Sequence, residues 1–204
     1  MRIDRPPPGE ELNTGEVTKA RPAATVIPVR DGETGLELLL VQRNPASRFM
    51  GGAWVFPGGA VHEGESEAET AVREAEEEAS LRLDAGTLVP FSRWITPRQV
   101  KVRFDTHFFV APTPPDAEPA CDGEECVDLR WVTPAEALAA GRRDELSLVF
   151  PTIKHLEQLV EFKTVEELLE HARGRRVQPV EPRVLVDGGV AQVLLPGEPG
   201  YDEA

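Results

Sequence analysis

The chain has 204 residues, of which 36 are acidic and 22 are Lys or Arg, for a formal charge of −14. That balance argues against nucleic acid or an anionic membrane as a partner, since both call for clustered cations. The length suits one domain with extensions, a 40% hydrophobic share supports a core, and no apolar run approaches membrane-spanning length. Residues 1–20 lack the apolar stretch of a secretory signal and read as a flexible polar arm. Residues 23–29 (AATVIPV) and 36–42 (LELLLVQ) read as strands around the turn Asp31-Gly32-Glu33-Thr34-Gly35. Residues 54–56 form a short strand that runs into Pro57-Gly58-Gly59. Further strands are predicted over 88–95, 103–111 and 127–132, with a Pro- and acid-rich loop over 112–125. Thr133-Pro134 is a helix start. Helices follow over 151–162 and 165–171, then two short strands flanking the hairpin signal Asp187-Gly188-Gly189. Cys121 and Cys126 lie in a polar loop with no His nearby, which predicts reduced thiols in a cytoplasmic protein rather than a zinc site.

The stretch 59–81 (GAVHEGESEAETAVREAEEEASL) carries the most chemistry. Ser66 followed by Glu69 is a capping box, so a helix begins there. Ala68, Ala71, Val72, Ala75 and Ala79 recur at helical spacing as a narrow apolar stripe that lets the helix sit close to a sheet. Glu67, Glu74, Glu77 and Glu78 fall on one flank of it. Like charges at these separations cost about 0.2–0.5 kcal/mol per pair, and a hard divalent cation reverses that repulsion. Arg73 can reach Glu77 one turn on, or Glu65 before the helix, and orient the carboxylates. Glutamates alone would read as a solvated face; the glycine lead-in and the full spacing favour a metal site. Ser80 stands where the helix end calls for a left-handed residue, at a cost of about 1 kcal/mol for a non-glycine.

Gly59, Glu65, Arg73, Glu74, Glu77 and Glu78, spaced G-x5-E-x7-R-E-x-x-E-E, resemble the Nudix box. Ala75 and Ser80 depart from it, where a larger aliphatic and Gly are usual. The resemblance covers about residues 21–140. It implies an α/β fold, an α/β/α sandwich with a mixed sheet over 21–145, which residues 146–204 extend as helices and a hairpin on the same domain. It also implies a diphosphatase using Mg2+ or Mn2+, with Gly59, Glu74, Glu77 and Glu78 as ligands and Glu65 and Arg73 orienting them. Upstream, residues 39–59 (LLVQRNPASRFMGGAWVFPGG) resemble the motif of coenzyme A-type Nudix enzymes through Arg48, Gly52 and Phe56-Pro57-Gly58-Gly59, with Val41 and Asn44 departing from it. Residues 94–111 (WITPRQVKVRFDTHFFVA) resemble the acyl-CoA diphosphatase branch.

Arg43 and Arg48 are candidate phosphate partners, because guanidinium pairs bidentately with phosphoryl oxygens. Phe56 and Gly58 complete the candidate substrate wall, although Trp54 and Phe56, beside a tight turn, suit the core as well. Asp105 is expected to pair with Arg103 on its own strand face. The four histidines read as structural or solvated. Asp122, Glu124 and Glu125 remain alternatives to a box glutamate as the general base. The expected partner is a small nucleoside diphosphate derivative, most readily coenzyme A or an acyl-CoA, with ADP-ribose, NADH or dinucleoside polyphosphates as alternatives and a homodimer as an open option. A non-catalytic Nudix ligand-binding domain is the contrasting class; such domains often lose box carboxylates, and here all are present.

Overall fold

A computed structural model of the chain describes residues 2–3, 12–13, 15–114, 116–187 and 190–203. The strands and helices follow in the order β1 (Arg2–Ile3), β2 (Arg21–Asp31), β3 (Leu36–Arg43), β4 (Trp54–Val55), β5 (Gly58–Ala60), α1 (Glu67–Ala79), β6 (Val89–Ile95), β7 (Phe104–Pro112), β8 (Cys126–Val132), α2 (Pro134–Arg142), α3 (Phe150–Leu159), α4 (Val165–Gly174), β9 (Pro179–Val180), β10 (Arg183–Asp187) and β11 (Val190–Leu194). Among the described residues, eight strands form one mixed sheet in the order β4-β3-β2-β7-β6-β9, with β5 beside β2 and β8 beside β3. β2 runs parallel to β7, and β6 parallel to β9. A separate three-stranded sheet joins β1, β11 and β10.

The run LLLV over 38–41 of β3 is apolar without alternation because both faces of the sheet are covered. Leu36, Leu38 and Leu40 pack with Leu156, Leu159, Leu168 and Leu169 from α3 and α4. Leu39 and Val41 pack on the other face with Ala71, Ala75 and Ala79 of α1. The alanine stripe thus sits against the strands as expected, and the molecule is an α/β/α sandwich. The helices after α2 belong to the same core as the sheet. β10 and β11 pair as the predicted hairpin, Asp187 opposite Val190; Gly188 and Gly189 lie outside the described residues.

One local expectation falls largely outside the described residues, and one changes. Much of the polar arm, residues 4–11 and 14, lies outside the described residues. Its described part is bonded to the loop before β7: the Asn13 N–H donates to the Gln99 carbonyl at 2.6 Å, and the Thr18 hydroxyl to the Lys101 carbonyl at 2.8 Å. Asp105 does not pair with Arg103. It accepts two hydrogen bonds from Arg93 on β6, at 2.8 and 2.6 Å. A diagonal neighbour across strands is within reach of a long side chain, and Arg103 is committed elsewhere. Buried, it donates to the carbonyls of Thr96 (3.0 Å) and Thr18 (2.7 Å) and to the Glu181 carboxylate (2.7 Å).

Candidate active site

The site starts from two glycines. In β5, Gly58 and Gly59 lie opposite Thr25 and Ala24 of β2. A Cβ on Gly58 would strike Thr25 Oγ1 and the Ala24 carbonyl, and one on Gly59 would strike the Glu74 carboxylate. Glycine at 58 lets β5 lie close against β2, and glycine at 59 leaves the Glu74 carboxylate its place beside the strand. α1 begins as predicted, with Ser66 and Glu69 closing a capping box. It ends at Ser80, which takes the left-handed conformation at φ 54°. The loop geometry that glycine normally serves is therefore reached by serine, with its N–H on the Glu76 carbonyl at 3.0 Å.

Arg73 organises the acids. Its Nε donates to Glu65 Oε1 at 2.9 Å, and one Nη donates to both Glu74 and Glu77 at 2.8 Å. The other Nη reaches the Ala60 carbonyl at 3.3 Å. Glu65 also accepts from the Thr70 hydroxyl at 2.9 Å. Its hydrogen bond from Arg73 holds its carboxyl down at about 2.

Of the acids on the flank of the stripe, Glu74 and Glu78 are withdrawn from solvent. Both are buried, 8% and 2% exposed, because α1 turns them toward β5 rather than toward solvent. Glu78 Oε2 accepts the Gly58 N–H at 3.0 Å. Its Oε1 has no hydrogen-bond partner, and the nearest cation is Arg43 Nη1 at 3.8 Å. Burial pushes Glu78 up to about 7, and like charges from Glu74 and Glu125 add to this. Burial also raises Glu74, against the pull of Arg73. Glu77 is different: its side chain is 59% exposed and turns to Arg73. Among the described residues, no three acidic, His or Cys side chains converge into a ready-made metal cluster.

A cleft of about 750 Å3 opens beside β5. Gly58, Gly59, Glu74, Arg43, Arg48 and Phe56 all line it. Phe56 is also core, as is Trp54, each 3% exposed. Arg43 is partly engaged already, donating to the Phe49 carbonyl at 3.3 Å. The loop acids separate clearly. Asp122 accepts the N–H groups of Glu125 and Cys126 at 3.0 and 2.8 Å and so builds the turn. Glu125 lines the cleft with Glu74. Sequence reasoning missed Arg21, Phe49, Lys101 and Phe104, which also line it. Arg21 and Phe104 meet only because β2 and β7 pair in parallel, and no local signal announces that.

Buried titrating groups pull stability in opposite directions with pH. His155 is enclosed beside Phe108, its ring centroid 4.3 Å away. Nε2 lies 2.5 Å from Ser92 Oγ, and Nδ1 lies 2.7 Å from the Pro151 carbonyl. Burial lowers its pKa to about 4. The unfolded chain therefore binds a proton that the folded chain refuses, and stability is lost as pH falls from about 6.5 toward 4. Glu78, raised to about 7, acts with the opposite sign between 4.5 and 7. Glu74, also raised by burial, opposes His155 as Glu78 does, so a Glu74→Gln, Glu78→Gln background leaves His155 alone of the three. Unfolding free energy from urea titrations should then drop by about 2 kcal/mol between pH 7 and pH 5. An unchanged value would mean that His155 is not held neutral.

A mixed sheet between helices, with a glycine strand and a glutamate helix rimming one cleft, defines an α/β/α sandwich with an acidic site. The NUDIX domain family matches residues 19–151, and the chain belongs to the Nudix family. It is 32% identical over 127 residues to human acyl-coenzyme A diphosphatase NUDT19, covering 59% of this chain and 33% of that protein. The Xenopus laevis protein of the same name is 31% identical over 126 residues, 57% of this chain and 32% of its own length. The chain thus spans about a third of the length of these curated relatives. Among solved structures, a NUDIX hydrolase from Alicyclobacillus acidocaldarius superposes with a TM-score of 0.69 at 27% identity, over 75% of this chain and 96% of that one. The NUDIX domain of Shewanella oneidensis NrtR, solved with ADP ribose, shares the fold at a TM-score of 0.57 and 20% identity, over 71% of this chain and 88% of that one. Nudix hydrolases generally need a divalent cation. Among the described residues, no helix is long and apolar enough to cross a membrane.

Proposed function

We propose that the chain is a Mg2+- or Mn2+-dependent diphosphatase that cleaves the P–O–P linkage of coenzyme A or an acyl-CoA. The observation that carries the reading is the pair of buried carboxylates, Glu74 and Glu78, one with an orphaned oxygen, packed against a glycine strand on the rim of a cleft. Two raised carboxylates in one place call for a cation, and an all-oxygen donor set suits a hard one. Glu74, Glu78 and the Gly59 carbonyl would hold it, and Glu77 would join by leaving Arg73. Bound there, the ion supplies charge neutralisation on the diphosphate oxygens and a lowered pKa for water.

The protein's own groups do the rest. Arg73 and Glu65 keep the helix carboxylates in register. Arg43 and Arg48 grip phosphoryl oxygens from the cleft wall. Water attacks one phosphorus, the bond from that phosphorus to the bridging oxygen breaks, and Glu125 takes the water's proton. Glu125 is favoured over Asp122 because its carboxylate is not spent on the turn. The products are a phosphopantetheine fragment and adenosine 3',5'-bisphosphate. The relatives named acyl-coenzyme A diphosphatases support this substrate over ADP-ribose, NADH or dinucleoside polyphosphates.

The test is product mass from a panel of free and acylated CoA, ADP-ribose, NADH and dinucleoside polyphosphates. CoA species should be cleaved with Mg2+ or Mn2+, and chelator should abolish turnover. Equal turnover in chelator would remove the metal-dependent mechanism. Cleavage of other panel members with CoA untouched would remove the CoA assignment.

A further inference from the structure

The cleft inverts the charge of the chain. Against a total of −14, its lining brings together Arg21, Arg43, Arg48 and Lys101 with only Glu74 and Glu125. The floor is regular. Residues 21, 23 and 25 of β2 alternate onto one face, and 104, 106 and 108 of β7 stand beside them in parallel register; all six line the cleft. Gly58 lies opposite Thr25 and Gly59 opposite Ala24, so the acidic end sits at the Thr25–Phe108 end of this floor. Arg21 and Phe104 stand three residues farther along β2 from Ala24, about 10 Å at strand rise, the reach of a nucleoside from its phosphate.

At that far end the Arg21 guanidinium lies over the Phe104 ring, 4.8 Å from its centroid. Phe49 meets Phe104 edge-on at 5.7 Å. Arg48, next to Phe49 in the chain, and Lys101, three residues before Phe104, also line the cleft. At the Thr25–Phe108 end the carboxylates share the cleft with an apolar wall of Phe56, Phe108, Val149 and Pro151. The two ends therefore suit different parts of one elongated molecule.

We propose that Arg21, backed by Phe104 and Phe49, is the stacking platform for the substrate's nucleobase, and that Lys101 and Arg48 take a phosphate carried on its ribose. Flat guanidinium planes stack on bases as aromatic rings do, and a ring behind the guanidinium fixes its plane. This deepens the diphosphatase reading: it places the nucleotide half of the substrate at the cationic end and the thioester arm along the apolar wall at the other.

The experiment is calorimetric binding in chelator, so that it does not depend on turnover. The probes are adenosine 3',5'-bisphosphate, AMP and ribose 5-phosphate. The wild type should bind them in that order of affinity. Arg21→Ala should weaken the two nucleotides about tenfold, within the range for one stacked base, and leave ribose 5-phosphate unchanged. Arg21→Lys should not restore nucleotide binding, since it returns the charge without the plane. Arg48→Gln and Lys101→Gln should abolish the preference for the bisphosphate over AMP. Equal wild-type affinity for all three probes would overturn the proposal, as would a wild-type Kd in Arg21→Lys. Failure of the CoA panel with this ranking intact would count against the diphosphatase alone.

Discussion

Glu78→Gln should lower kcat by about a hundredfold or more, the scale on which a group stabilising transition-state charge acts, and should not lower stability. Glu78 sits 2% exposed against β5 with one oxygen unpartnered, and burial holds its carboxyl up at about 7. An amide of the same shape keeps an acceptor for the Gly58 N–H but loses the charge a cation needs. Above pH 7 the wild-type chain carries a buried charge that the unfolded chain hydrates, so the neutral variant should be more stable without metal, on the order of 1–3 kcal/mol. Glu77→Gln should show a similar fall in kcat with no gain in stability, since that carboxylate is 59% exposed. Steady-state rates and urea titrations in chelator measure both. Wild-type turnover in Glu78→Gln would show that the reaction does not run through this carboxylate.

Arg103→Ala should destabilise the fold by about 3 kcal/mol. The side chain is 8% exposed and serves three acceptors on three segments: Thr18 before β2, Thr96 after β6, and Glu181 after β9. Removing it leaves two carbonyls and a carboxylate without their donor, and groups orphaned in this way cost about 1–3 kcal/mol each. Glu181 keeps a contact to Arg98 at 3.2 Å and is partly exposed, which holds the total below that of a fully buried pair. Arg103→Lys should recover only part, because one ammonium cannot span the fork. Urea unfolding decides the matter: a loss under about 1 kcal/mol would show that the three segments do not depend on this clamp. Lys101 and Val102 are its neighbours on the cleft wall, so the folded variant should also show a raised KM for its substrate.

Much of the architecture was open to sequence reasoning because its causes are local. The capping box at Ser66 and Glu69, the alanine stripe of α1, the Thr133-Pro134 helix start and the hairpin around Asp187 depend on residues a few positions apart, and each formed where predicted. Spacing also brought Arg73 within reach of Glu77 one turn on along the helix and of Glu65 just before it. What a helical repeat cannot supply is which side of α1 the sheet covers. That is why the spacing put Glu74, Glu77 and Glu78 on one flank without telling that Glu74 and Glu78 are buried and Glu77 is not. The Arg103–Asp105 pairing failed for a related reason: residues two apart on a strand share a face, but their partners come from the neighbouring strand and from distant loops.

Taken by itself, the sequence determined the box, its helix, its glycine lead-in and the family to which they belong, because residue type and spacing along one chain carry all of these. The tertiary structure alone decided that Glu125 rather than Asp122 or Glu124 stands in the cleft with Glu74, that Arg43 lies beside Glu78, and that Arg21 meets Phe104. The physical reason is strand pairing. The parallel register of β2 with β7, and the pairing of β3 with β8 that carries Arg43 up to Cys126, join segments remote in the chain, and that choice rests on the burial of both sheet faces together rather than on any local preference.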